Sequence, residues 1–101
     1  MKIVAVSACI AGIAHTYMAK ANLEKFAKEL GHEIKVETQG AMGFEDKLSE
    51  DDINQADVVI FAVDTVVSEK DRFDGKKIYE FGTNEVIKDG KSVIEKATGE
   101  I

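Results

Sequence analysis

The chain has 101 residues, 45% of them hydrophobic and 32% charged, with no proline and a formal net charge of -6. That length supports one compact domain with a modest core, so residues 1–101 are read as a single folded domain rather than a disordered or multidomain chain. The acidic balance and the absence of a Lys/Arg cluster argue against nucleic acid as a partner, and no apolar run approaches the ~20 residues needed for direct membrane insertion. The first strand-like residues begin too early for a secretory leader, so a cytoplasmic location is expected.

Lys2–Ala8 (KIVAVSA) is a β-branched run that predicts a buried first strand. A helix follows, in which Ala19, Leu23, Phe26 and Leu30 share one arc at 100° per residue, flanked by Thr16 and Ala27. Gly31 stops it. Residues 33–38 (EIKVET) predict a second strand ending at Gln39-Gly40, with Gly43 in a loop. Ser49 suits the N-cap of a short acidic helix through Gln55. The run DVVIFAV at 57–63, continuously apolar after its first residue, predicts a third strand covered on both faces, and KIYEF at 77–81 a fourth. Residues 83–98 carry a helical pattern with a break at Asp89-Gly90.

Alternating strands and helices predict an α/β, doubly wound, Rossmann-like fold: a four-stranded parallel sheet of order 2-1-3-4 with helices on both faces. In that order the chain reverses direction beside the first strand. Ligands bind at the carboxyl ends of strands near such a switch point, and Cys9 lies there.

Cys9 is the only cysteine, which excludes an internal disulfide, a CxxC redox pair and a thiolate-rich zinc site within the chain. No metal or cofactor is expected: Asp46, Glu50, Asp51 and Asp52 lack the alternating spacing of a calcium loop and fit a solvated helix start. A lone cysteine is often a small packing residue. Here, however, Cys9 opens the segment Ile10, Ala11, Gly12, Ile13, Ala14, His15 and Thr16, which joins a strand to a helix start. Small residues let backbone N–H groups turn inward there, and the positive end of the helix favours negative charge on a phosphate and on a thiolate alike.

A cysteine phosphatase loop has the spacing Cys-x5-Arg, whose guanidinium clamps the phosphate. The sixth residue after Cys9 is His15, so transfer of a phosphoryl group is favoured over its hydrolysis. A noncatalytic anion-binding module on the same fold is the reading from a different functional class.

The run SACIAGIAHTYMAKANLEK, followed by KVETQG, ADVVIFAVD and RFDGKKIYE, resembles the IIB component of the fructose family in the phosphoenolpyruvate-dependent sugar phosphotransferase system. The resemblance covers almost the whole chain. It implies that Cys9 becomes phosphocysteine, receives its phosphate from a phosphohistidine IIA partner and delivers it to a sugar, fructose or a fructose-like one, translocated by the membrane component IIC. It also implies a place at the inner face of the membrane through IIC. The family pattern reads Cys-Pro-Thr-Gly-Ile-Ala-His-Thr, whereas Ile10 and Ala11 stand at the Pro and Thr positions here. Losing Pro relaxes the loop, and losing the hydroxyl removes one phosphate contact.

Two readings stand for His15, which either orients the phosphate or bonds a local carbonyl, and for Thr16, which either donates to phosphate or satisfies the helix terminus. Tyr17 and Met18 fall outside the buried arc beside the reactive loop and suit docking of IIA and IIC. Gln39 and Asp64 end the second and third strands on the edge that carries Cys9 and are possible crevice residues. For Asp64 a plain solvent-facing strand end is favoured, because a carboxylate repels phosphate. Arg72, Lys76 and Lys77 are read as surface charges.

Overall fold

In a computed structural model of the chain, the described residues are 1–9, 13–40 and 43–99. They form β1 (Lys2–Ala8), α1 (Ile13–Glu29), β2 (Glu33–Gly40), β3 (Gly43–Glu45), α2 (Glu50–Gln55), β4 (Val58–Val63), a 3-10 turn (Lys70–Phe73), β5 (Ile78–Phe81), α3 (Thr83–Lys88) and α4 (Gly90–Thr98). The sheet order is β3-β2-β1-β4-β5. β1 pairs in parallel with β2 and β4, and β4 with β5, so the four parallel strands follow the expected 2-1-3-4 order.

The sheet has a fifth strand, which corrects the four-stranded, all-parallel expectation. β3 pairs antiparallel with β2, Thr38 opposite Glu45 and Gln39 opposite Phe44. Only three residues long, it opens on Gly43 at a φ of 93° and is followed by Asp46 at 51°. Phe44 alone is half-buried, so the segment carries no alternation that a period-two pattern would reveal.

Strand alternation divides the core into two layers. On one face Ile3, Ala5, Val36, Val58, Ile60 and Ala62 pack against Ala19, Leu23 and Ala27 of α1, Val86 of α3, and Val93, Ile94 and Ala97 of α4. On the other, Val4, Val6, Ala8, Val59, Phe61 and Val63 meet Leu48, Ile53, Ala56, Val67 and Phe73. Phe61 and Phe73 meet edge to face at 5.3 Å between ring centroids. Each fully buried Leu, Ile or Phe contributes about 1.5–3 kcal/mol relative to exposure.

Local signals set the helix boundaries. α1 ends in two reverse hydrogen bonds, His32 N–H to the Ala27 carbonyl and Gly31 N–H to that of Lys28, with Gly31 at a φ of 81° that glycine adopts without strain. Ser49 caps α2 reciprocally with Asp52, and the salt bridge from Lys35 together with these bonds pulls the Asp52 carboxyl down to about 2. Asp89 separates α3 from α4 by accepting the Ser92 N–H. Lys76 is no free surface charge: its ammonium donates to the carbonyls of Asn54 and Ala56 at the end of α2.

Gly90 is required by the approach of α4 to α1. A Cβ there would lie 2.8 Å from Phe26 Cδ2 and 3.2 Å from Asn22 Cβ. Asn22 is itself fixed, donating its amide to the carbonyls of Val86 and Ile87 at the end of α3. In an open helix Gly→Ala gains up to about 1 kcal/mol. At this contact the sign reverses, and Gly90→Ala is expected to lower stability by about 1–3 kcal/mol through overpacking, measured by urea unfolding.

Candidate functional site

β1 ends at Ala8 between two parallel neighbours, and the half-buried Cys9 follows it immediately. The buried Ser7 hydroxyl donates to the Thr16 carbonyl at 2.8 Å, tying the end of β1 to the start of α1. On the β4 side the Asp64 N–H donates to the Ala8 carbonyl at 3.0 Å, continuing the ladder one residue beyond the strand. That bond brings the Asp64 side chain to Cys9. The thiol donates to Asp64 Oδ2 at 3.5 Å, an ordinary length for a sulfur donor.

Asp64 is held from its other side by the first residue of α3. The buried Thr83 donates its N–H to Oδ1 at 3.1 Å and its hydroxyl to Oδ2. The hydroxyl bond is the main cause that keeps the Asp64 carboxyl below the usual range; burial opposes it, and the Thr83 N–H, the Cys9 thiol and the His15 charge add to it. Asp64 is thus a fixed anion beside Cys9 at neutral pH.

On the opposite sheet face a second polar cluster holds the neighbouring loops. Glu37 is completely buried, and Arg72 reaches it bidentately, with Nη1 and Nη2 each 2.9 Å from a carboxylate oxygen. The Leu48 N–H and the Gln39 amide also donate to Glu37. Gln39 in turn accepts from the Ser68 N–H at 2.8 Å and donates to its carbonyl at 3.1 Å. The guanidinium lies over the rings of Phe44 and Phe73 and donates through Nε to the Glu69 carbonyl. Every oxygen of the buried carboxylate is therefore occupied.

A family model described as the lactose/cellobiose-specific IIB subunit of the PTS matches residues 4–96. The chain belongs to the PTS IIB family. This IIB chain is 46% identical over 99 residues to a fructose-specific EIIB'BC component from Xanthomonas campestris, covering 98% of the chain and 17% of that protein. It is 47% identical over 97 residues to a fructose-specific EIIB component from Haloferax volcanii, covering 96% of the chain and 61% of that protein. It therefore spans less than two thirds of the length of either relative. Among solved structures, a domain of the fructose-specific IIABC component from Borrelia burgdorferi superposes with a TM-score of 0.87 at 47% identity, covering 93% of the chain and 89% of the domain. Family description and relatives agree on IIB and differ in the sugar they name.

Of the residues singled out in the IIB sequence, Ile10, Ala11 and Gly12 lie outside the described residues. Ile13 opens α1, Ala14 and His15 are exposed in its first turn, and Thr16 is buried with its carbonyl engaged by Ser7. Met18 is exposed, while the Tyr17 hydroxyl donates to Glu45 on β3, whose carboxylate pushes the phenol up. Asp64 meets Cys9, whereas Gln39 is on the opposite sheet face with Glu37, its amide committed to Ser68. Among the described residues no group of three or more His, Cys, Asp or Glu side chains is placed to hold a metal ion.

Arg72 is not a surface charge, as its sequence context suggested, but the partner of Glu37. Glu37 in an alternating strand and Arg72 in a polar stretch 35 residues later share no local signal. Val66 was also missed. It is 86% exposed in the segment after β4, next to Val67, which is buried, and the pair reads identically in sequence.

Burial raises the Glu37 pKa, but hydrogen bonds from Arg72, Gln39 and the Leu48 N–H outweigh it and hold the carboxyl below its ordinary 4.5. A depressed carboxyl contributes stability that is present above the unfolded value and lost as pH falls through the folded one. Glu37→Gln is expected to cost about 2–3 kcal/mol at neutral pH, less than the ~3–5 kcal/mol for breaking a fully buried pair because Arg72 keeps some solvent contact. Its stability should then fall less steeply than that of the wild type below pH 4.5, as followed by urea unfolding against pH.

Proposed function

We propose that this chain, read as one IIB domain over residues 1–101, carries a phosphoryl group on Cys9 between a phosphohistidine IIA partner and a sugar translocated by IIC. The observation that carries the reading is the position of Cys9: half-buried at the end of β1, at the switch point between β2 and β4, and just ahead of α1. Backbone N–H groups of Ile10, Ala11, Gly12, Ile13, Ala14, His15 and Thr16 hold the phosphate, with the start of α1 supplying positive potential. Loading forms the Sγ–P bond and breaks the N–P bond of the phosphohistidine. Unloading transfers the same group to a sugar hydroxyl.

Hydrolysis is disfavoured by a single fact. The chain has one arginine, Arg72, and it is bound to Glu37 on the far side of the sheet, leaving no guanidinium to clamp a phosphate at Cys9. A fructose or fructose-like sugar is supported by the names of the relatives. The joined B and C components in the Xanthomonas name, and the IIABC name of the Borrelia protein, support IIC and IIA as partners. No helix among the described residues is long and apolar enough to cross a membrane. The joined EIIB'BC name of the Xanthomonas relative supports association with the membrane through IIC, at its cytoplasmic face.

Tyr17 and Met18 are exposed near the start of α1, and the exposed Val66 lies two residues beyond Asp64, so these three form the docking surface for IIA and IIC. Incubation with a phosphorylated fructose-type IIA protein is expected to add one phosphate, mapped to Cys9 by mass spectrometry, and Cys9→Ala should take up none. Label on His15 would overturn the mechanism. Val66→Asp is expected to slow loading by roughly tenfold without altering the thermal midpoint, because a charged side chain there opposes apolar contact.

A further inference from the structure

A carboxylate beside a phosphoryl acceptor works against loading, yet Asp64 is built into that position. Its main-chain N–H is in the ladder to Ala8, and its two oxygens accept three hydrogen bonds: two from Thr83 and one from the Cys9 thiol. Gly82, the residue before α3, lies close against it, since a Cβ there would be 3.3 Å from Oδ1. Thr83 is completely buried and cannot follow a swinging side chain. The charge is therefore fixed relative to the sulfur.

Resting on the reading of Cys9 as the phosphoryl acceptor, we propose that Asp64, fixed by Thr83, is a positioning residue that orients the Cys9 thiol before loading and, by its charge, drives the phosphoryl group onward afterwards. Before loading, the S–H bond points at Oδ2 and the sulfur lone pairs are left to face the incoming phosphorus. As the Sγ–P bond forms, the N–P electron pair leaves with the imidazole nitrogen, which takes up the proton released by the thiol. The hydrogen bond to Asp64 is then gone and a doubly negative phosphoryl group stands near a carboxylate.

The repulsion raises the free energy of the loaded state and so favours the next transfer. For charges of one and two units ~5–6 Å apart in water-like surroundings, it amounts to about a tenfold change in the loading equilibrium. The term is electrostatic and solvent-facing, so salt screens it. A purely structural role for Asp64 would show no such dependence.

The test uses the full chain and a radiolabelled, phosphorylated fructose-type IIA protein, with the label partitioned at equilibrium between the two proteins. Asp64→Asn, which keeps an acceptor for the Thr83 N–H, is expected to hold about tenfold more label at low salt, the excess shrinking at ~0.5 M salt. Thr83→Val, which removes the hydroxyl donor and leaves only the main-chain N–H on the carboxylate, should move the partition in the same direction by a smaller factor. If both variants load on Cys9 with the wild-type partition at every salt concentration, the role of Asp64 is refuted while that of Cys9 stands. Absence of label from Cys9 in the wild type would instead refute the phosphoryl-carrier reading, and this proposal with it.

Discussion

β1 is hydrogen-bonded on both edges by parallel strands and covered on both faces by side chains, and this double enclosure is the constraint from which the site follows. Parallel neighbours cannot be joined by tight turns, so each crossover must travel over the sheet and return. With β2 on one side and β4 on the other, the crossovers diverge from the carboxyl end of β1 and leave a gap there. Cys9 is the first residue past that end. Ser7 and Asp64, bonded to Thr16 and Ala8, tie α1 and the end of β4 to the end of β1 on either side of it.

The two faces of the sheet divide the work. The α1 side brings together the thiol, Asp64, Thr83 and the first turn of the helix, where Ala14 and His15 are exposed. The other side buries Glu37 and spends Arg72, Gln39 and the Leu48 N–H on it. Such a cluster is seldom a net source of stability, because removing two charges from water costs several kcal/mol per ion. What it fixes is geometry. β2, the segment before α2 and the 3-10 turn meet on the Glu37 carboxylate, and the segment after β4 joins them through Ser68 and Gln39.

The parallel strands and the helices were legible because their signals are local. The run VVIFAV has no polar interruption to suggest a half-exposed strand, and Ser49 and Asp89 place helix starts within a residue. β3 was not legible, since a three-residue strand has one inward side chain and owes its existence to a neighbouring backbone. The position of Cys9 could be inferred from strand order alone. The anchoring of Asp64 could not, because its three donors come from residues 9 and 83, which only the fold brings together. Arg72 illustrates the same limit: a lone arginine between acidic residues looks solvated until its partner is known.

Carriage of phosphate at the carboxyl end of β1 must change the surroundings of the backbone there. Backbone amide resonances of the chain, recorded before and after loading by a phosphorylated IIA protein, test it directly. The largest shifts are predicted for Cys9 through Thr16, with Asp64 and Thr83 following and the buried strands staying still. Largest shifts instead at the amino edge of the sheet, around the groove lined by Lys2, Glu33, Gln55 and Asp57, would contradict it.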